Sequence, residues 1–181
     1  MIIKTTLAAT AALALSACAS GMGAPTMTFS QASLPAAVQV PAGHKVAMET
    51  VGVGQITYEC RAKKDMAGHE WVFVGPDAQL MDRMGQQVGK YHGPPATWES
   101  NDGSKLTGAQ VAVAPAVAGS LPLQLVKANT AMGTGAMQGV TYIQRVATRG
   151  GVAPAMTCDA ASMGRQQAVQ YQADYIFWKA A

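Results

Sequence analysis

The residues most able to do chemistry stand close together between Tyr91 and Lys105. This stretch contains His92, Trp98, Glu99 and Asp102, while most other polar side chains of the chain occur singly. An indole can serve as a flat apolar platform for a ligand, and an imidazole and a carboxylate can fix its orientation. We therefore predict a ligand-binding patch formed by these four residues.

The same residues support two other interpretations. Trp98 could be a buried side chain that fills the end of a barrel, with Glu99 and Asp102 stabilising turns. Alternatively, two carboxylates three positions apart could act as a catalytic pair beside His92, which would make the protein an envelope hydrolase. No serine-nucleophile elbow or phosphate-binding glycine loop accompanies them, so we predict that the protein is not an enzyme.

The local elements that would position these residues follow from their turn signals. Asn101-Asp102-Gly103 favours a tight hairpin turn, because these residue types tolerate positive φ. Gly93-Pro94-Pro95 excludes a central strand, because proline donates no backbone hydrogen bond. The hairpin should therefore bring His92, Trp98 and Glu99 to one end of a sheet.

Gln144 and Arg145 are two further ligand-binding candidates, in the middle of the apolar stretch from Val140 to Thr148. An arginine in such a strand needs a partner, because an unpaired buried charge is strongly unfavourable. We predict an ion pair with Glu99 or Asp174. A purely structural pair and a clamp on a ligand both remain open.

The first residues have the features of a secretory leader. Lys4 precedes a short apolar run, Leu7 to Leu15, which falls short of the ~20 apolar residues that a membrane-spanning helix requires. The sequence Leu15-Ser16-Ala17-Cys18 is similar to the bacterial lipoprotein signal, in which the cysteine is lipidated. This resemblance implies a membrane partner through a lipid anchor at Cys18, and an outer-membrane location facing the periplasm. An ordinary secretory leader is the alternative.

The other two cysteines are predicted to form a disulfide. With Cys18 lipidated, Cys60 and Cys158 are an even remainder in an oxidising compartment. Neither has a neighbouring histidine or a Cys-x-x-Cys partner, so a catalytic thiol is disfavoured.

Composition excludes several classes of function. Hydrophobic residues make up 49% of the chain and charged residues 13%, which is too apolar for a disordered protein. The net charge of +3 comes without any basic cluster, so we predict no nucleic-acid partner. Three separated histidines and the scarcity of closely spaced methionines predict no metal site, and no cofactor motif is present.

Hydrophobic side chains alternate with a period of two from Val38 onward, and no long amphipathic helix is indicated. Short strands separated by Gly and Pro turns are typical of an all-β, single-domain antiparallel sandwich or small barrel with mostly hairpin connections. We divide the chain into a signal peptide (1–17), a flexible tether (18–35) and an all-β domain (36–181). Gly75-Pro76-Asp77 is predicted to end one strand and Ala78–Met81 to form another.

A set of motifs between Val38 and Lys179 resembles one family. The motifs are Tyr58-Glu59-Cys60, Trp71-x-Phe73-x-Gly75-Pro76-Asp77, Thr97-Trp98-Glu99-x-x-Asp102-Gly103-Ser104, Val140-Thr141-Tyr142-Ile143-Gln144-Arg145-Val146 and Ala173-Asp174-Tyr175. The family is a secreted bacterial and fungal group of uncharacterised proteins, known as domain of unknown function 3455. The resemblance implies a secreted single domain and supplies no activity. Together these features predict a lipid-anchored, non-enzymatic binding or structural module for a small molecule, glycan or protein.

Overall fold

A computed structural model describes residues 29–181 as a closed antiparallel barrel. The eight strands are β1 (His44–Ala62), β2 (His69–Met81), β3 (Gln87–His92), β4 (Thr97–Ser100), β5 (Lys105–Ala114), β6 (Leu123–Ala128), β7 (Val140–Gly150) and β8 (Gln166–Ala180). Two short 3-10 turns, Ala36–Val38 and Ala160–Ser162, are the only helical segments in this part of the chain. None of the helical segments within 29–181 is long and apolar enough to cross a membrane.

Each strand pairs with the next one along the chain, and β8 closes the barrel by pairing with β1. The all-β prediction is confirmed, and of its two alternatives the structure adopts the barrel. The hairpin at Asn101-Asp102-Gly103 is also confirmed, since it joins β4 to β5. In a closed barrel every strand has a neighbour on both sides. The alternation of side chains in the sequence predicts strands but does not show whether the sheet closes.

The barrel interior is filled by aromatic side chains rather than by an open channel. Tyr91 stacks on Trp98 with ring centroids 4.8 Å apart, and Tyr175 from the opposite wall lies 5.0 and 5.7 Å from these two rings. Gly52 makes room for Tyr175, since a Cβ at that position would lie 2.8 Å from the tyrosine ring. Aromatic pairs of this kind add roughly 0.5 to 1.5 kcal/mol each beyond the area they bury.

A second apolar cluster lies outside the barrel wall, beneath residues 29–40, which we call the N-terminal strap. Phe29, Leu34, Val38 and Val40 of the strap pack against the outward-facing side chains of five strands, namely Val46, Ala114, Leu123, Leu125, Tyr142, Val146, Ile176 and Trp178. The predicted tether therefore ends earlier than expected, because residues 29–35 are part of the packed domain. The predicted leader, Cys18 and the remainder of the tether lie outside the described residues.

The predicted disulfide is confirmed, because Cys60 at the end of β1 is bonded to Cys158. Cys158 lies in the segment between β7 and β8, which crosses one end of the barrel. Tyr58 supports the same segment by donating a hydrogen bond of 2.8 Å from its hydroxyl to the Gly151 carbonyl. The disulfide, together with this hydrogen bond, thus holds the long β7–β8 connection over the barrel end.

One strand boundary was predicted wrongly. Pro76 does not end a strand, since β2 runs without a break from His69 to Met81 and pairs Pro76 with Ile56. The neighbouring strand β3 reaches only to His92, which pairs with Asp77. Pro76 therefore stands where β2 has no partner on its β3 side, and a proline is tolerated at such an edge.

Candidate functional site

The hairpin of β3 and β4 brings His92, Glu99 and Lys90 together on the outer face of the barrel. His92 Nε2 lies 3.1 Å from Glu99 Oε2, and Lys90 Nζ lies 3.5 Å from Glu99 Oε1. The hydrogen bond from His92 lowers the pKa of Glu99, and the charges of Lys90 and Lys105 act in the same direction. Part of the predicted patch is therefore assembled, as an exposed ionic cluster.

Trp98 does not belong to this cluster, because neighbouring residues of a strand point to opposite faces. Its side chain faces the barrel interior and is only 2% exposed. The prediction that Trp98 forms a platform beside Glu99 is therefore wrong, and the prediction that it fills the barrel is confirmed. Its Nε1 has no hydrogen-bond partner within residues 29–181.

Asp102 is also turned away from His92 and Glu99, and it supports a loop instead. Its carboxylate accepts hydrogen bonds from the Ser104 hydroxyl at 2.6 Å, the Ser104 amide at 2.9 Å and the Ala136 amide at 2.7 Å. These bonds lower the pKa of Asp102 to about 2. Met137, one residue after Ala136, is 1% exposed and packs into the core. Asp102 thus holds the β6–β7 loop against the barrel.

We expect the contribution of this loop contact to stability to fall as the pH is lowered. A carboxylate whose pKa is lower in the folded than in the unfolded protein stabilises the fold fully above its ordinary pKa of 3.8, and the stabilisation is lost as the pH falls through about 2. Asp102→Asn should therefore melt at a lower temperature than the wild type near neutral pH, and the difference should shrink as the pH approaches 2. Melting curves across the acid range measure this, and a pH-independent difference would contradict it.

Arg145 has neither of the partners predicted for it. Its side chain faces inward with Ile143, and Nε and Nη2 donate to the Pro122 carbonyl at 3.2 and 3.0 Å. Glu99 and Asp174 lie on outward-facing positions, and Asp174 pairs with Arg83 at 2.9 Å. Because side chains alternate along a strand, Arg145 faces the barrel interior while Glu99 and Asp174 face solvent, so neither ion pair can form.

Arg145 instead influences the phenols of the barrel interior. Burial raises the pKa of Tyr171 and of Tyr175, and the positive charge of Arg145 offsets part of that rise in both. The hydroxyls of Tyr171 and Tyr175 lie 2.7 Å apart and share a hydrogen bond. Both phenols therefore stay neutral, and this polar group belongs to the packing of the interior.

Gln144 lies on the opposite face of β7 and is completely buried. Its amide nitrogen donates to the Val38 carbonyl at 2.7 Å and to Gln31 Oε1 at 3.0 Å, while its oxygen accepts from Trp178 Nε1 at 2.9 Å. The side chain is therefore occupied in fastening the N-terminal strap to the barrel wall. A ligand could reach it only by displacing the strap.

A groove that the sequence did not indicate opens between the end of β6 and the start of β7. The last residue pair of this ladder is Lys127 and Tyr142, beyond which the two strands separate. The groove has a volume of about 430 Å³ and is lined by His44, residues 127–131 and residues 139–142. The rings of His44 and Tyr142 meet edge to face, with centroids 5.0 Å apart. The family motif at Val140-Thr141-Tyr142 forms part of one wall, but nothing in the sequence indicated that His44, from the start of β1, lies beside it.

A smaller polar depression lies next to the ionic cluster of β3 and β4. It has a volume of about 330 Å³ and is lined by Gln87, Lys90, Glu99, Ser100, Asn101 and Gly103. Among residues 29–181, no three His, Cys, Asp or Glu side chains are arranged to hold a metal ion. The surface depressions of the described residues thus include an ionic depression, which contains the predicted site residue Glu99, and the aromatic groove between β6 and β7.

The family described as "Protein of unknown function (DUF3455)" matches residues 41–179. Comparison with curated proteins and with solved structures found no match. The matched range begins just before β1 and ends at the last residues of β8, so it spans the whole barrel. The chain therefore belongs to the DUF3455 family.

Proposed function

We propose that the protein is a lipid-anchored module of the cell envelope that binds a small molecule, a glycan or a protein without catalysing a reaction. The observation that carries this proposal is the aromatic groove of 430 Å³ between β6 and β7. An aromatic ring beside amide and hydroxyl groups suits ligands that have both apolar faces and polar edges. The interior of the barrel is filled, so a ligand would be held on the outer wall.

The N-terminal strap supports the anchoring part of the proposal. Phe29, the first described residue, is held by a hydrogen bond of 2.9 Å from its amide to Glu49 and by its ring contact with Trp178. Residues 19–28 separate it from Cys18, so the two residues can be at most about 40 Å apart. A lipid on Cys18 would thus keep the barrel close to the membrane surface, facing the periplasm from the outer membrane.

The hydrolase alternative is supported by one contact, the hydrogen bond between His92 and Glu99. A hydrolase using His92, Glu99 and Asp102 would need all three side chains to reach one substrate bond. The carboxylate of Asp102 instead accepts hydrogen bonds from the amide of Ser104, just before β5, and from the amide of Ala136 in the loop between β6 and β7. Catalysis would require Asp102 to give up these hydrogen bonds and move toward His92 and Glu99, whereas binding at the surface requires no such movement.

Fractionation of cells tests the anchor. Cys18→Ser should move the protein from the membrane fraction to the soluble envelope fraction and abolish incorporation of labelled fatty acid, since the thiol that carries the lipid is removed. Ser20→Ala, two residues further on, is the control and should leave the protein in the membrane. A Cys18→Ser protein that remains membrane-bound would contradict the proposal.

A further inference from the structure

We propose that the groove between β6 and β7 binds a phosphate group carried by its ligand; this rests on the proposed binding function and names the chemistry of that same site. Lys127 lines the groove directly. Lys179 reaches it from β8, since a Cβ built on the lining residue Gly139 would lie 3.8 Å from Lys179 Cδ. Lys45 pairs with Lys179 across the β1–β8 ladder, which adds a third lysine at this end of the barrel. Because side chains alternate along a strand, Lys45 and Lys179 lie on the inner side of the wall and Lys127 on its outer side, so the three lysines flank the groove from two sides.

None of these three lysines has an acidic partner. All ten Asp and Glu residues of the sequence lie after residue 28, within the part that the structure describes. No carboxylate among them forms an ion pair with Lys45, Lys127 or Lys179 at 4.0 Å or less, whereas Lys90 and Arg83 do have such partners. These three lysines therefore have no ion-pair partner among the Asp and Glu side chains of the described residues.

The arrangement of Lys45 and Lys179 is unfavourable for the protein alone. Residues directly opposite in an antiparallel pair have Cβ atoms roughly 4.5 to 5.5 Å apart, and like charges at that spacing repel. A bound anion would relieve this repulsion, and the attraction would weaken as salt is added. The strand register thus concentrates charge where the groove opens.

Lysine and the other lining groups indicate which anion fits. An ammonium group is a compact charge with three rotatable donors, which suits the tetrahedral oxygens of phosphate, whereas planar bidentate recognition of a carboxylate is typical of arginine. The groove contains no arginine. Tyr142 and His44 provide an aromatic wall for the remainder of the ligand. The phosphate could belong to a free ion, a phosphorylated sugar or a phospholipid headgroup.

The β1–β2 loop offers a matched comparison. A second depression there, of about 300 Å³, is lined by Lys63 and Lys64 but also by Asp65 and Glu70. Its two lysines match the pair Lys127 and Lys179 in number, but two carboxylates lie beside them. Removing these two lysines changes the net charge of the protein by the same amount as removing Lys127 and Lys179.

The test uses the full-length Cys18→Ser protein, with its resonances followed by NMR. Inorganic phosphate at low salt should shift the amides of residues 127–131 and 139–142. Lys127→Gln combined with Lys179→Gln should weaken this binding about tenfold, since two of the attracting charges are lost. Lys63→Gln combined with Lys64→Gln should leave it within about twofold.

Two further probes identify the source of the phosphate and separate this inference from the broader proposal. Vesicles of phosphatidylcholine with phosphatidylglycerol, compared with phosphatidylcholine alone, should retain the wild type but not the Lys127/Lys179 variant if the phosphate comes from a lipid headgroup. Glucose 1-phosphate should compete with inorganic phosphate if it comes from a sugar. Chitotetraose, a neutral glycan, tests whether the groove binds a ligand that carries no phosphate.

The results have distinct meanings. Phosphate-dependent shifts confined to the groove and lost in the Lys127/Lys179 variant support the inference. Equal loss in both double variants, or shifts away from the groove, would overturn it as a general effect of net charge. Chitotetraose binding with no response to phosphate would overturn the phosphate inference and keep the binding function. No response to any probe would count against both.

Discussion

Replacing Cys60 and Cys158 together by alanine is expected to lower the free energy of unfolding by about 4 to 5 kcal/mol. The two cysteines are 98 positions apart in sequence, so their bond removes much of the conformational freedom of the unfolded chain. It also pins the segment from Gly151 to Arg165 across one end of the barrel. Urea unfolding of the wild type and the double variant measures the difference.

Chemical reduction provides an independent form of the same experiment. The reduced wild type should unfold at the same urea concentration as the double alanine variant, because both lack only the cross-link. Cys18→Ser is the control and should unfold like the wild type, since it leaves the bond intact. A double variant as stable as the wild type would show that the bond contributes nothing to the fold.

Gln144→Leu is expected to lower the free energy of unfolding by about 2 to 6 kcal/mol, although leucine is apolar and similar in size. The substitution leaves the Trp178 indole N–H and the Val38 carbonyl without partners in a buried interface. Each unsatisfied buried group costs roughly 1 to 3 kcal/mol. Because Val38 belongs to the N-terminal strap, the strap should loosen from the wall before the barrel unfolds.

Gln124→Leu is the matched control for this prediction. Gln124 pairs with Arg145 of β7, next to Gln144, but its side chain bonds only Gln110 at 2.7 Å near the surface. Its substitution should cost at most about 1 kcal/mol. Hydrogen exchange should show faster exchange of the Val38 and Val40 amides in Gln144→Leu alone. Unchanged exchange there would mean that the apolar contacts of the strap suffice to hold it.

The strap and the groove meet on one side of the barrel. Trp178 contacts Phe29 through its ring and pairs with Tyr142 in the β7–β8 ladder. An anchor attached ahead of Phe29 would therefore hold the three lysines near the membrane. If the proposed anchor is present, a strap loosened by Gln144→Leu should alter the position of the groove relative to the membrane without changing the groove itself.

Local patterns in the sequence were sufficient to predict much of the fold. The two-residue period from Val38 onward indicated strands, because side chains alternate across a strand whatever it pairs with. Asn101-Asp102-Gly103 indicated its hairpin, because backbone freedom is a property of those residues themselves. The pairing of Cys60 with Cys158 followed from their number and predicted compartment. The family resemblance was likewise carried by short motifs, and the match over residues 41–179 confirmed it.

The partners of individual side chains were decided only by the tertiary structure. Glu99 and Arg145 look complementary in sequence, but one faces solvent and the other faces the barrel interior. Asp102 bonds Ala136 in a loop 34 positions away, and Gln144 bonds a strap more than a hundred positions before it. The three lysines beside the groove come from β1, β6 and β8. Barrel closure and register determine these contacts, because they set which distant residues share a face, and no local pattern in the chain encodes that choice.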